Sequence, residues 1–139
     1  MTVPVWVLLG FATWTLLTLI ATVGIYRWIQ ILSGRTPISA WRADGAQGSD
    51  WYRRAMRAHA NCVENLPVYG ALVLVMVASG VRDGRIDVLA ITLMAARVLH
   101  TLVHVALPQT NAIAAARFGF FLIQVLCMMS MAAIIVSVT

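Results

Sequence analysis

From Met1 to Tyr26 the chain carries no charged side chain, and from Phe118 to Thr139 another 22 residues pass without one. A helix that crosses a bilayer needs about 20 predominantly apolar residues, so each of these runs is long enough to span. Two more apolar stretches lie between them, and four spans would use about 80 of the 139 residues. No room remains for a soluble domain. Of the whole chain 61% is hydrophobic and 11% charged, where a soluble domain carries about 25% charged residues. The chain reads as one all-α integral membrane domain, residues 1–139.

The ends of the spans are marked locally. Met1–Tyr26 lacks the basic segment that opens a secretory leader, so it is expected to be a true span, about 3–32, with Arg27 and the interfacial Trp28 near its far end. Residues 33–50 hold Gly, Pro, Ser, Asp and Arg without helical period and form the longest loop. Ser49 or Asp50 caps a second helix, about 51–79, which contains Pro67. Asp83 and Gly84 lead into a third of about 86–107, and Pro108 ends it. The fourth covers about 112–138. All ten basic residues are arginine. Arg27, Arg35, Arg42, Arg53, Arg54 and Arg117 gather on one side of the membrane, against Arg82 and Arg85 on the other, which predicts a cytoplasmic first loop and both termini outside. The compact loops point to a bacterial inner membrane.

A net charge of +5 often signals nucleic acid, but these arginines form no exposed stripe interleaved with aromatics, so nucleic acid is excluded as a partner. Cys62 and Cys127 lie in apolar stretches without CxxC pairing and are expected as buried free thiols. Met128, Met129 and Met131 are expected to face lipid or the core.

The informative residues are the polar ones inside spans, since a charge at the centre of a spanning helix costs about 2.5–3.5 kcal/mol and faces the bundle interior or a wet cavity. At 100° per residue Arg54, Arg57, Asn61 and Glu64 share one side of helix two, and His59 points the other way. On helix three Arg97, His100 and His104 form a stripe at i, i+3, i+7. The two stripes are expected to face each other, with Glu64 paired to Arg97 and fixing helix register. Arg54, Arg57 and Arg117 then remain without carboxylates in the helices. Guanidinium forks bind carboxylates in bidentate fashion, so an anionic ligand with two carboxylates suits them. His100 and His104 also have metal-ligand spacing, but no further ligand beyond Glu64 is evident and no metal is expected.

Over residues 54–69, RAMRAHANCVENLPVY, the sequence resembles the MAPEG family, the membrane-associated proteins in eicosanoid and glutathione metabolism. The family pattern Arg-Ala-His-x-Asn-x-x-Glu stands here as Arg57-Ala58-His59-Ala60-Asn61-Cys62-Val63-Glu64, and an Arg-x-x-His-Thr string as Arg97 to Thr101. The resemblance covers nearly the whole chain. It implies a homotrimer of four-helix subunits that binds glutathione between neighbours near the cytoplasmic side. By matching position, Arg57, Asn61 and Glu64 would hold the tripeptide, with Arg27 reaching in from helix one and His100 on the ligand side. Arg97 and His104 complete the polar set around it. His59 would serve the subunit contact, and Arg117 would stabilise the thiolate that attacks a hydrophobic electrophile arriving through the lipid. The sequence departs from the pattern at His104, where the family's enzymes commonly have tyrosine, and at Phe118, where the prostaglandin-synthase branch has serine.

Three functions follow as expectations. One is a glutathione-dependent transferase or peroxidase, the second a non-catalytic lipid-binding or scaffolding trimer, and the third a small transporter or proton relay through Glu64, Arg97, His100 and His104.

Overall fold

The computed structural model describes residues 1–41 and 48–138, and among these there is no strand. The first span, Val3–Leu32, is helix α1 (Val3–Thr18), a π-helical stretch (Leu19–Gly24) and helix α2 (Ile25–Leu32). Helices α3 (Asp50–Ala78), α4 (Gly84–Ala106) and α5 (Asn111–Val138) make the other three. All four are long and apolar enough to cross a bilayer, and the chain is an integral multi-pass membrane protein. Arg42 and Asp44, part of the expected first loop, lie outside the described residues.

Each boundary has a local cause. Pro4 sits in the first turn of α1, where its missing N–H costs nothing. Of the two expected caps for α3, Ser49 serves: its side chain accepts from the Tyr52 N–H at 3.2 Å, and Asp50 is the first helical residue. Gly80, at φ +68°, turns the chain out of α3. Asp83 caps α4 by accepting from the Arg85 N–H at 2.8 Å, and the Arg85 guanidinium returns to the same carboxylate at 2.6 Å. These bonds hold the Asp83 carboxyl below the ordinary carboxylate range. Within the stretch expected to lack helical structure, Ile38–Ala40 form one 3-10 turn. Pro67 lies inside α3 without ending it, as membrane helices tolerate.

Helix α4 is the centre of the bundle. It packs most extensively on α5 and also touches α1 and α3. The core between them holds Phe11, Cys62, Tyr69, Leu93, Cys127 and Met131. Lipid tails are as apolar as these side chains, so what holds the helices together is close packing and interhelical hydrogen bonding. Tyr69 supplies one such bond, donating from its hydroxyl to the Pro4 carbonyl at 3.0 Å. Met128 and Met131 are buried, whereas Met129 faces outward. Both cysteines are free and buried, as expected.

The first span departs from regular helix where threonine hydroxyls compete for its carbonyls. Thr15 and Thr18 donate to Phe11 O and Trp14 O, four residues back, at 2.9 and 2.8 Å, and Thr22 does the same to Thr18 O. Such back-bonding loosens the backbone ladder, and the π-helical stretch begins directly after Thr18.

Candidate functional site

Because α4 touches three neighbours, its polar stripe has nowhere to go but inward. Arg97 is 0% exposed, and His100, Thr101 and His104 are likewise buried. The spacing i, i+3, i+4, i+7 keeps all four on one face, and the rings of His100 and His104 sit 4.8 Å apart.

Helix α3 behaves differently. Its buried face toward the bundle is Tyr52, Ala55, Ala58 and Cys62, while Arg57 and Glu64 are exposed. The expectation that the two polar stripes face each other is therefore corrected. Cys62 and Glu64 are about 200° apart around the helix axis, so with Cys62 turned to the bundle the exposed Glu64 is directed to the opposite side of α3. No Glu64–Arg97 ion pair forms among the described residues, and all three Arg97 guanidinium nitrogens are buried without a hydrogen-bond partner. The guanidinium instead lies over the Phe11 ring, 5.3 Å from its centroid. The stripes meet at one point only: Asn61 Nδ2 is 3.4 Å from His104 Nε2.

That contact borders a polar cavity of about 310 Å3 lined by Asp50, Arg53, Arg54, Arg57, His104, Gln109 and Arg117. Arg54 is ion-paired with Asp50, one helical turn away, and Arg53 approaches the same carboxylate at 3.8 Å. Asp50 is thus engaged, while Arg57 and Arg117 have no carboxylate partner among the described residues. Four guanidinium groups around one carboxylate make a site for an anion.

Arg117 reaches the cavity because α4 ends at Ala106 and α5 starts at Asn111, a short link that includes Pro108. The Thr110 hydroxyl accepts from the Ile113 N–H at 3.2 Å, and Arg117, two turns on, points back at the end of α4. There it donates to Leu107 O at 3.1 Å, to His104 O at 3.5 Å and to Gln109 Oε1 at 3.4 Å. A cation on the last carbonyls of a helix is favoured both by its hydrogen bonds and by the helix dipole.

Of the expected site residues, the structure brings together Arg57, His104 and Arg117 at the cavity, with Asn61 attached through His104. Arg97 and His100 lie in the core, and Glu64 is on the outer face of α3. Arg27 stands apart, donating from Nε to the Tyr52 hydroxyl at 2.6 Å and lying over the Trp41 ring at 5.5 Å. His59, expected at a subunit contact, is turned toward α1, where it meets the backbone of Thr15. Sequence reasoning missed Asp50, whose i to i+4 spacing with Arg54 was a readable signal. It also missed Gln109, which carries none.

The sequence model of the MAPEG family matches residues 5–137. No curated protein and no solved structure matches the chain.

Proposed function

We propose, from the premise that this chain belongs to the MAPEG family, that it is a glutathione-dependent membrane transferase or peroxidase acting on hydrophobic electrophiles. The observation that carries this reading is the arginine excess in the cavity between the start of α3 and the α4–α5 turn. Glutathione offers two carboxylates, and Arg57 and Arg117 are the guanidinium groups free of acidic partners to receive them. Asn61, held by His104, supplies a neutral amide for the peptide portion. Arg117 is also the cation nearest the role of thiolate stabiliser. A free thiol has a pKa near 8.5, and a neighbouring guanidinium favours the thiolate that attacks the electrophile.

The assembly completing the site is a homotrimer. Arg57 and Glu64 are exposed within a span, and each charge left in hydrocarbon would cost about 2.5–3.5 kcal/mol. Covering α3 with a neighbouring copy removes that cost and encloses the site, with Glu64, Arg27, the buried Arg97 and His100 and the half-buried His59 acting as support for it. The arginine-rich ends lie in the cytoplasm and both termini outside, in a bacterial inner membrane.

Calorimetric titration of the detergent-solubilised trimer with glutathione, read with the ultraviolet absorbance of the thiolate, tests the proposal. Binding of one glutathione per subunit with thiolate formation is the expected result. Binding without thiolate, or none, overturns the catalytic reading.

One observation favours a second reading, a non-catalytic lipid-binding or scaffolding trimer of the same fold. The Arg117 guanidinium is already engaged by three acceptors around the end of α4, a wholly structural use for the residue on which thiolate formation depends.

A further inference from the structure

We infer that Asp50 makes the anion cavity selective for a thiol peptide with a free α-ammonium group, against the same peptide acylated on nitrogen. The inference rests on the glutathione reading above and names what the site demands of its ligand beyond two carboxylates.

Charge and position carry the argument. Four guanidinium groups surround the cavity, and Asp50 is the one carboxylate among the described residues that line it. Asp50, Arg54 and Arg57 stand at i, i+4 and i+7 on α3, within about 60° around the helix axis. The negative start of this stripe and its positive continuation therefore open to the same space.

The carboxylate is held without being used up. Arg54 pairs with one of its oxygens, and Arg53 lies 3.8 Å from the other. The Asp50 side chain nevertheless stays 65% exposed, whereas that of Arg54 is only 14% exposed. A carboxylate has about four acceptor positions, so with one arginine on each oxygen a further donor can still be received on the open side.

For a ligand that is only an anion, Asp50 is unfavourable: it repels an incoming carboxylate and occupies Arg54. A ligand with an ammonium and a carboxylate on one carbon reverses the sign. The amino-acid end of glutathione has this form. Its ammonium is repelled by Arg53, Arg54, Arg57 and Arg117, and His104 Nε2 already faces Asn61 at 3.4 Å. Asp50 is the anionic acceptor that remains. Side chains on a helix lean toward its N-terminus, so Arg57 reaches back toward Asp50 and takes the carboxylate on the same carbon. The glycine carboxylate is left for Arg117. Helix stability alone gives Asp50 no reason to face the cavity, since Ser49 already caps α3.

The full chain in lipid nanodiscs is titrated by calorimetry at neutral pH with glutathione and with N-acetylglutathione, wild type beside Asp50→Asn. Wild type is expected to bind glutathione about tenfold more tightly than the acetylated peptide. Asp50→Asn is expected to bring that ratio to about one by weakening glutathione alone. Asp50→Ser, a second neutral variant, should behave in the same way, and Asp50→Glu should keep most of the preference. Ratios cancel any effect of a variant on the helix, and a loss caused by the bulk of the acetyl group would persist in Asp50→Asn. A wild-type ratio near one, a ratio unchanged in the neutral variants, or tighter glutathione binding by Asp50→Asn would each overturn the inference and leave the glutathione reading in place. The last of these would make Asp50 a mere competitor for Arg54. Binding of neither peptide would overturn the glutathione reading, and this inference with it.

Discussion

The guanidinium of Arg117 donates to the Leu107 carbonyl at 3.1 Å while lining the same cavity as Arg57. One side chain thus joins the end of α4 to the anion site. Hydrogen bonds from a charged group contribute about 1.5–3 kcal/mol, so Arg117→Ala is expected to lower the thermal midpoint as well as the transferase rate. Under the proposed function, glutathione binding is expected to weaken but to persist through Arg57. Thiolate absorbance at neutral pH separates the two roles: Arg117→Lys restores part of the absorbance if the charge matters to the thiol, and an unchanged rate in Arg117→Ala removes the residue from the mechanism.

Arg97 is expected to be dispensable for folding. Breaking a buried ion pair costs about 3–5 kcal/mol, whereas replacing buried charged groups by apolar side chains of similar volume is often neutral or stabilising. Arg97→Met, which fills a similar volume, should leave the unfolding midpoint unchanged or raise it. A fall of several degrees would mean that a carboxylate reaches Arg97 in the assembled protein.

Glu64→Gln is expected to weaken the association of subunits, or glutathione binding, without changing helix content. Its carboxylate faces out of the subunit, so its partners belong to a neighbouring copy or to the ligand. Native mass spectrometry in mild detergent and a binding titration read the two effects, and a variant unchanged in both would take Glu64 out of interface and site alike.

Acid is expected to loosen the start of α4 before the rest of the helix. The Arg85 bonds hold the folded-state pKa of Asp83 below its ordinary value. A depressed carboxylate contributes stability that is fully present above the unfolded-state pKa of about 3.9 and is lost as pH falls through the lower, folded value. Amide exchange at Arg85 and Ile86 should stay protected at neutral pH, rise only below about pH 4, and be fast at every pH in Asp83→Ala. Protection in that variant would show that the cap does not hold the turn.

The spans were legible because length and hydropathy alone decide them: the uncharged run from Met1 and the one after Arg117 leave no alternative. The inward stripe of α4 was equally legible, since Arg97, His100 and His104 fix a face by spacing. What failed was the partner of that stripe. Periodicity places Arg57, Asn61 and Glu64 on one side of α3 but does not say which neighbour that side meets, and Cys62, an inconspicuous residue in the same turn, is the one that packs toward α4. Tyr52 as the holder of Arg27 and Gln109 as a contact of Arg117 are tertiary facts with no periodic signature. The 3-10 turn at Ile38–Ala40 is too short to leave one.

The π-helical stretch in the first span gives that span a phase shift. A π turn holds one residue more than an α turn, so everything after Gly24 is rotated by about 100° relative to an unbroken helix. Arg27 meets Tyr52 and Trp41 only by virtue of that offset. Deleting one residue of Leu19–Gly24 would turn the stretch into regular α-helix and leave Arg27 on its present side, whereas regular α-helical bonding with every residue kept would rotate Arg27 by about 100° away from Tyr52. The register of this segment, more than its composition, is what a redesign of the helix would have to preserve.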